Sequence, residues 1–319
     1  MRSSLRRLRR FGFGTEIARG HSRESDNRAW HWNAIAIPCD HVENQTVMSS
    51  PRLAHLPDFL SPPVIETVLG VSFPALPVGI PHYGLLWGAF RSEYPKFEVH
   101  GPIRFEPEQF GAQEAPEAVP AVQVVEQPEV RCWFLSKSGN HLVQVQRDGF
   151  LHNWRKVESE EPYPHYEQIR PIFERDWQIL LEFLRREGLE LPQVAQCEVT
   201  YVNHIERVGE WGDFGRLSNL FPNWCDRKHS FLPDPDAISF STRFSMPDNR
   251  GRLRVAVRPA IRNTDGKPIF EFRLTARGAP GSSAIADILS WFDLGREWIV
   301  RGFADLTSPT AHKYWERTQ

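Results

Sequence analysis

Cysteine is scarce and scattered. Cys39, Cys132, Cys197 and Cys225 are the four in 319 residues, and no two stand in a CxxC pair. That distribution excludes a disulfide-stapled scaffold and fits buried thiols in a reducing cytoplasm. Long hydrophobic runs are missing as well. No stretch reaches the roughly 18 apolar residues of a membrane span, and the N-terminus lacks the apolar centre of a secretory signal. Neither sign of charge dominates: 38 basic and 40 acidic residues leave −2, which argues against a globally basic nucleic-acid binder. The signatures GxxxxGKS/T, GxGxxG after a strand, GxSxG and HExxH are all absent, so NTPase, hydrolase and zincin readings lose their usual support.

What is present is an ordinary globular composition, 40% hydrophobic and 24% charged, with a high eleven tryptophans and 26 prolines. The length suits two domains of about 130 residues, each able to bury a core unaided. The opening MRSSLRRLRRF carries five arginines in its first ten residues, and the chain stays polar and aperiodic to HVENQTV. Residues 1–58 are expected to be a disordered basic extension. A nucleic-acid-binding arm, an organellar presequence, or an upstream start with Met48 as the natural one are the other readings.

Beyond Pro62 and Pro63, Ile65, Thr67, Leu69, Val71 and Phe73 alternate as one face of a strand. HYGLLWGAFRSEYPKF predicts a helix ending before Pro95. Residues 106–129 hold six glutamates, four prolines and no basic residue, which predicts an acidic loop. After the strand VRCWFLSKSG, the stretch HLVQVQRDGFLHNWRK predicts a hairpin closed by Asp148-Gly149. That turn sets Val145 against His152 and Val143 against Trp154, with Gln144, Gln146 and Asn153 on the other side. Apolar residues then recur at helical spacing from Tyr166 to Leu184, with Pro171 expected to kink the helix and Gly188 to cap it.

The second half follows the same order. QCEVTYVNHI is a strand in which Glu198 takes the place of Glu66, and FGRLSNLF reads as a short helix. AISFSTRFSM, the hairpin RLRVAVRPAIRNTDGKPIFEFRLTARG, and two closing helices complete it. The expected fold is α+β, made of two related units at residues 59–189 and 190–319. Each would run strand, helix, three strands, long helix, with antiparallel sheets carrying their helices on one face. Helix-grip and TATA-binding-protein-like folds have such an order, and the analogy brings no function with it.

Five segments, PPVIETVLGVSF, VQVQRDGFLHNWRK, YPHYEQIRPIFERDW, CEVTYVNHI and FDLGREWIVRGFADLTSPTAHKYWER, together resemble an uncharacterised, sporadically distributed bacterial family. The resemblance spans about residues 59–319. The family has no established activity, so it implies no site residues. Its patchy, laterally transferred occurrence implies a mobile-element or defence context by association. In the last helix similar proteins tend to carry a histidine near Arg296, and this departure weakens a catalytic reading of that position.

Several constellations remain. Cys225 and His229, with His204 and Glu206 upstream, fall short of the two close ligand pairs of a structural zinc site, and neither a metal nor a cofactor is expected. Glu66, Glu198 and His152 could converge as a polar site between the units, where paired carboxylates would divide acid and base roles. The alternative leaves each glutamate on a polar strand face and His152 as a hydrogen-bonded, partly buried histidine. Residues 243–277 carry eight arginines and Lys267 against Asp248, Asp265 and Glu271, a local +6. Arg252, Arg254, Arg258, Arg273 and Arg277 should line the sheet face away from the helices. A two-residue Asp265-Gly266 turn would oppose Arg258 to Arg273 and invite an anion. A four-residue loop, Asn263 to Gly266, opposes Arg258 to Glu271 instead and makes the face a solvated one. The reading that follows is a cytoplasmic binding or regulatory protein with a protein partner. A nucleic-acid-binding component using the arginine face is the alternative, and an enzyme with a site between the units a third.

Overall fold

The computed structural model describes residues 56–105, 107–108, 110, 129–157, 162–212, 214–224 and 230–319. All of them belong to one compact unit. The basic extension to residue 55, most of the acidic loop and the Cys225–His229 pair lie outside the described residues.

In chain order the elements are β1 (Val64–Ser72), α1 (Ile80–Phe90), β2 (Lys96–His100), β3 (Arg131–Leu135), β4 (His141–Gln146), β5 (Gly149–Arg155) and α2 (Tyr166–Arg186). They continue as β6 (Gln196–Glu206), short 3-10 turns, β7 (Phe240–Ser245), β8 (Arg252–Ile261), β9 (Pro268–Gly278), α3 (Ile285–Leu306) and α4 (Pro309–Tyr314). The fold is α+β. In place of separate sheets the described residues form one nine-stranded sheet, ordered β2-β3-β4-β5-β1-β6-β9-β8-β7, with every pairing among them antiparallel. The expected three strands after the first helix are four, because β2 adds an exposed edge. In the second half 3-10 turns at Gly209–Trp211 and Phe214–Asn219 stand where a helix was expected.

One cross-strand row crosses the whole sheet: Phe97, Phe134, Val143, His152, Leu69, Val199, Ala276, Leu253 and Phe244. Side chains opposite one another share a face, and this row meets both long helices. Asp176 of α2 reaches His152, while Gly295 of α3 lies against Val199 and Ala276. The helices therefore cover one face and the core lies beneath them. There the Phe173 ring meets Phe292 edge-on, with centroids 4.8 Å apart, locking α2 to α3. α2 buries Ile169, Phe173, Asp176, Trp177, Leu180 and Leu184 at helical spacing, and it runs on through Pro171.

Two hairpin registers were open to arithmetic. At β8–β9 Arg258 opposes Glu271 and Ile261 opposes Pro268, which is the four-residue-loop register. At β4–β5 the turn is Arg147-Asp148 rather than Asp148-Gly149, so Val145 opposes Phe150 and Val143 opposes His152. A shift of two residues keeps every side chain on its expected face. The physical reason for the shift is Phe105. Its ring lies 2.1 Å from where a Cβ on Gly149 would stand, so the glycine serves a close approach instead of a turn.

Candidate functional site

The face away from the helices divides into two chemistries. On the β4–β5 side it presents Gln144, Gln146 and Asn153, all buried. On the β8–β9 side it presents the arginines. A segment of the chain runs across this face from one half to the other. Ile103 donates its N–H to Gln146 Oε1 at 2.9 Å and accepts from Gln146 Nε2 at 2.7 Å. Phe105 rests on Gly149, and the Glu108 N–H reaches Gln196 Oε1 at 2.9 Å. The Glu108 carboxylate, 2% exposed, is shared by Arg252 and Arg254, and the Phe110 ring lies under Arg252. Two glutamine side chains thus hold backbone groups, and two arginines hold a carboxylate.

All five predicted arginines are on this face, and each has an acidic neighbour. Arg258 makes a two-pronged pair with Glu271 at 3.1 and 3.0 Å, and Arg273 stands 3.7 Å from the same carboxylate. Arg277 donates to Glu198 at 2.6 Å. Among the described residues these five guanidiniums are partnered by three carboxylates, Glu108, Glu271 and Glu198. Arg243 and Arg254 are direct cross-strand neighbours, and with Arg273 and Arg277 they line an open cleft of about 230 Å³.

Glu66, Glu198 and His152 do not converge. Glu66 accepts from Asn153 Nδ2 at 2.7 Å, while Glu198 sits opposite Gly70, four residues further along β1. Both glutamates lie on the arginine side of the sheet, and His152 lies on the helix side. Among the described residues no group of histidine, cysteine, aspartate and glutamate is placed to hold a metal ion.

His152 instead joins a network that its sequence neighbours do not announce. Its Nδ1 meets Asp176 Oδ2 at 2.9 Å, and both side chains are fully buried. Tyr94 donates to the same oxygen at 2.5 Å, and Arg175 donates to Asp176 Oδ1 at 2.8 Å. The carboxylate fixes the proton on His152 Nδ1, so Nε2 accepts from His141 Nδ1 at 3.1 Å. Burial alone would raise the Asp176 carboxyl. The hydrogen bonds from His152 and Tyr94, with the charge of Arg175, outweigh it and hold the group below its usual range. One signal in the sequence pointed here: Asp176 falls inside the apolar stripe of α2, three residues from Phe173 and four from Leu180.

His141 at the end of this line has a pKa lowered from 6.5 to about 4, by burial first and then by His152. Between those values the unfolded chain binds more protons than the folded one. Stability from this group is therefore complete above about pH 6.5 and is lost as pH falls toward 4. The expected loss is on the order of 2–3 kcal/mol. Melting points measured at pH 7 and pH 4.5 should fall further for the parent than for His141→Asn, and equal falls would contradict it.

Fold and face together define an α+β protein with one nine-stranded antiparallel sheet, its helices on one side and an arginine-rich surface on the other. None of its described helices is long and apolar enough to cross a membrane. Comparison with protein-family models gives no match, and neither does comparison with curated proteins.

Proposed function

We propose that this chain is a binding protein and that the arginine half of its second sheet face receives an acidic segment of a partner protein. The carrying observation is that the chain's own residues 101–105, 107–108 and 110 cross this face as such a ligand would, with Glu108 reaching the arginine half. Gln146 pairs with both backbone groups of Ile103, and Arg252 and Arg254 share the Glu108 carboxylate. Side-chain amides that grip backbone groups tolerate varied sequence, while the arginines select for acid. The carboxylate neighbours of Arg258, Arg273 and Arg277 weigh against a phosphate backbone, which would have to displace them.

We also read the two halves as diverged copies. The support is positional: β1 and β6 pair at the centre, β5, β4 and β3 follow outward from one, and β9, β8 and β7 from the other. On that reading the copies share a scaffold and differ in what they present, amides in the first and arginines in the second.

The test uses the full chain and a fluorescent peptide copying residues 101–112. A Phe105→Ala/Glu108→Ala variant, whose own segment has lost its two anchors, should bind the peptide about tenfold or more tightly than the parent, where the resident segment competes at high effective concentration. Raising salt from about 50 to about 200 mM should weaken that binding. Adding Arg254→Ala should abolish it. No peptide binding by the variant, or tighter binding of a DNA duplex than of the peptide, would sink the reading.

A further inference from the structure

A second cleft, with a free volume of about 50 Å³ and an open mouth, lies between the start of α2, the middle of α3 and the central strands β1 and β6. Small-molecule sites combine apolar walls with a few convergent polar groups. Here Val64, Leu274, Ile299 and Phe303 supply apolar wall, and the polar groups are Tyr201, Arg296 and their neighbours.

Arg296 is only 5% exposed. One edge of its guanidinium is used: Nη2 donates to Glu167 at 2.8 Å, and the Tyr166 ring lies 5.0 Å away beneath it. Its Nε–H is buried with no hydrogen-bond partner. Tyr201, also buried, accepts from the Tyr163 hydroxyl at 3.0 Å. Burial raises the Tyr201 phenol and the Arg296 charge partly offsets that, so the two groups are neighbours. Among the described residues Tyr201 has no acceptor for its own proton. Asp58 at the rim takes the Phe59 N–H on its Oδ1 at 2.9 Å.

A buried donor without an acceptor is destabilising and rare. Two of them side by side in one cleft call for an acceptor from outside. Backbone strain marks the same place. His165, between Tyr163 and Tyr166 and lining the cleft with them, has φ 62° and ψ 158°. That region is normally reserved for glycine, and such strain gathers at ligand clamps.

We infer that this cleft binds the carboxylate end of a small organic acid, whose oxygens take the Arg296 Nε–H and the Tyr201 O–H and whose apolar body lies along the cleft's mouth. Glu167 already offsets much of the Arg296 charge, so a singly charged acid fits where a phosphate dianion would meet repulsion. The inference shares no residue with the acidic-segment reading and stands or falls separately.

Calorimetric titration of the full chain with benzoate, phenylacetate and hexanoate tests it, with benzyl alcohol as the neutral control. At least one acid should bind saturably, and the alcohol should bind about tenfold or more weakly. Arg296→Met should abolish binding. Val300→Trp, which adds bulk at the cleft wall, should abolish it too while the chain stays folded by circular dichroism. That second variant decides the matter even if losing the Arg296–Glu167 pair unfolds the chain. No saturable binding of any of the three acids, equal binding of the alcohol, or unchanged binding in Val300→Trp overturns the inference.

Discussion

An Asp176→Ala variant is expected to unfold with a free energy about 3–5 kcal/mol below the parent's. The carboxylate accepts from His152, Tyr94 and Arg175 at once. Arg175 is 45% exposed and can turn to water, but His152 and Tyr94 are buried and cannot. Alanine leaves two core donors unanswered and opens a void beside Trp177. In the sheet row from Phe97 to Phe244, His152 is the one polar residue, so no neighbour in that row can take over. Urea denaturation reads the effect as a lower midpoint at an unchanged slope. A change under about 1 kcal/mol would mean that water satisfies the network.

Gly278→Ala should cost about 3 kcal/mol or more. A Cβ at this position would stand 2.2 Å from the Arg250 carbonyl oxygen, 2.8 Å from Gly251 Cα and 2.9 Å from the Trp291 ring. None of these is the end of a flexible side chain. The end of β9 must part from the start of β8, and the Trp291 Nε1–H bond to Arg250 O at 3.0 Å goes with it. Trp291 thus links the strand ends to α3. The variant's midpoint should fall, with a change in indole fluorescence. An unshifted midpoint would show that the strand ends can separate at little cost.

Local pattern made some of this legible and hid the rest, for physical reasons. The β8–β9 register stayed open in the sequence, between Arg258 against Arg273 and Arg258 against Glu271; the structure takes the second, although it still sets Arg252 against Arg277. The arginine face could be read because its residues alternate with Leu253, Val255 and Val257. The β4–β5 turn was misplaced because Gly149 looks like a turn glycine, whereas its use is to admit Phe105, 44 residues earlier in the chain. β2 escaped notice because its alternation, Phe97 and Val99 between Lys96, Glu98 and His100, lasts only five residues and stays exposed at the sheet edge. The carboxylate site missed reading altogether. Tyr163, Tyr201 and Arg296 come from three distant segments, and what sets them apart is which of their donors lack acceptors, a property of packing.

The pairing of β1 with β6 has a consequence for the chain as it emerges from the ribosome. β1 can dock against β5 once residue 155 is available, but its other edge stays unpaired until residues 196–206 arrive. Through that interval the nascent protein carries an open, apolar strand edge at what will become the middle of its sheet. Another copy's β6 fits that edge as well as its own does. Crowded synthesis therefore favours exchange of second halves between neighbouring chains, and slow translation over residues 156–206 lengthens the time at risk.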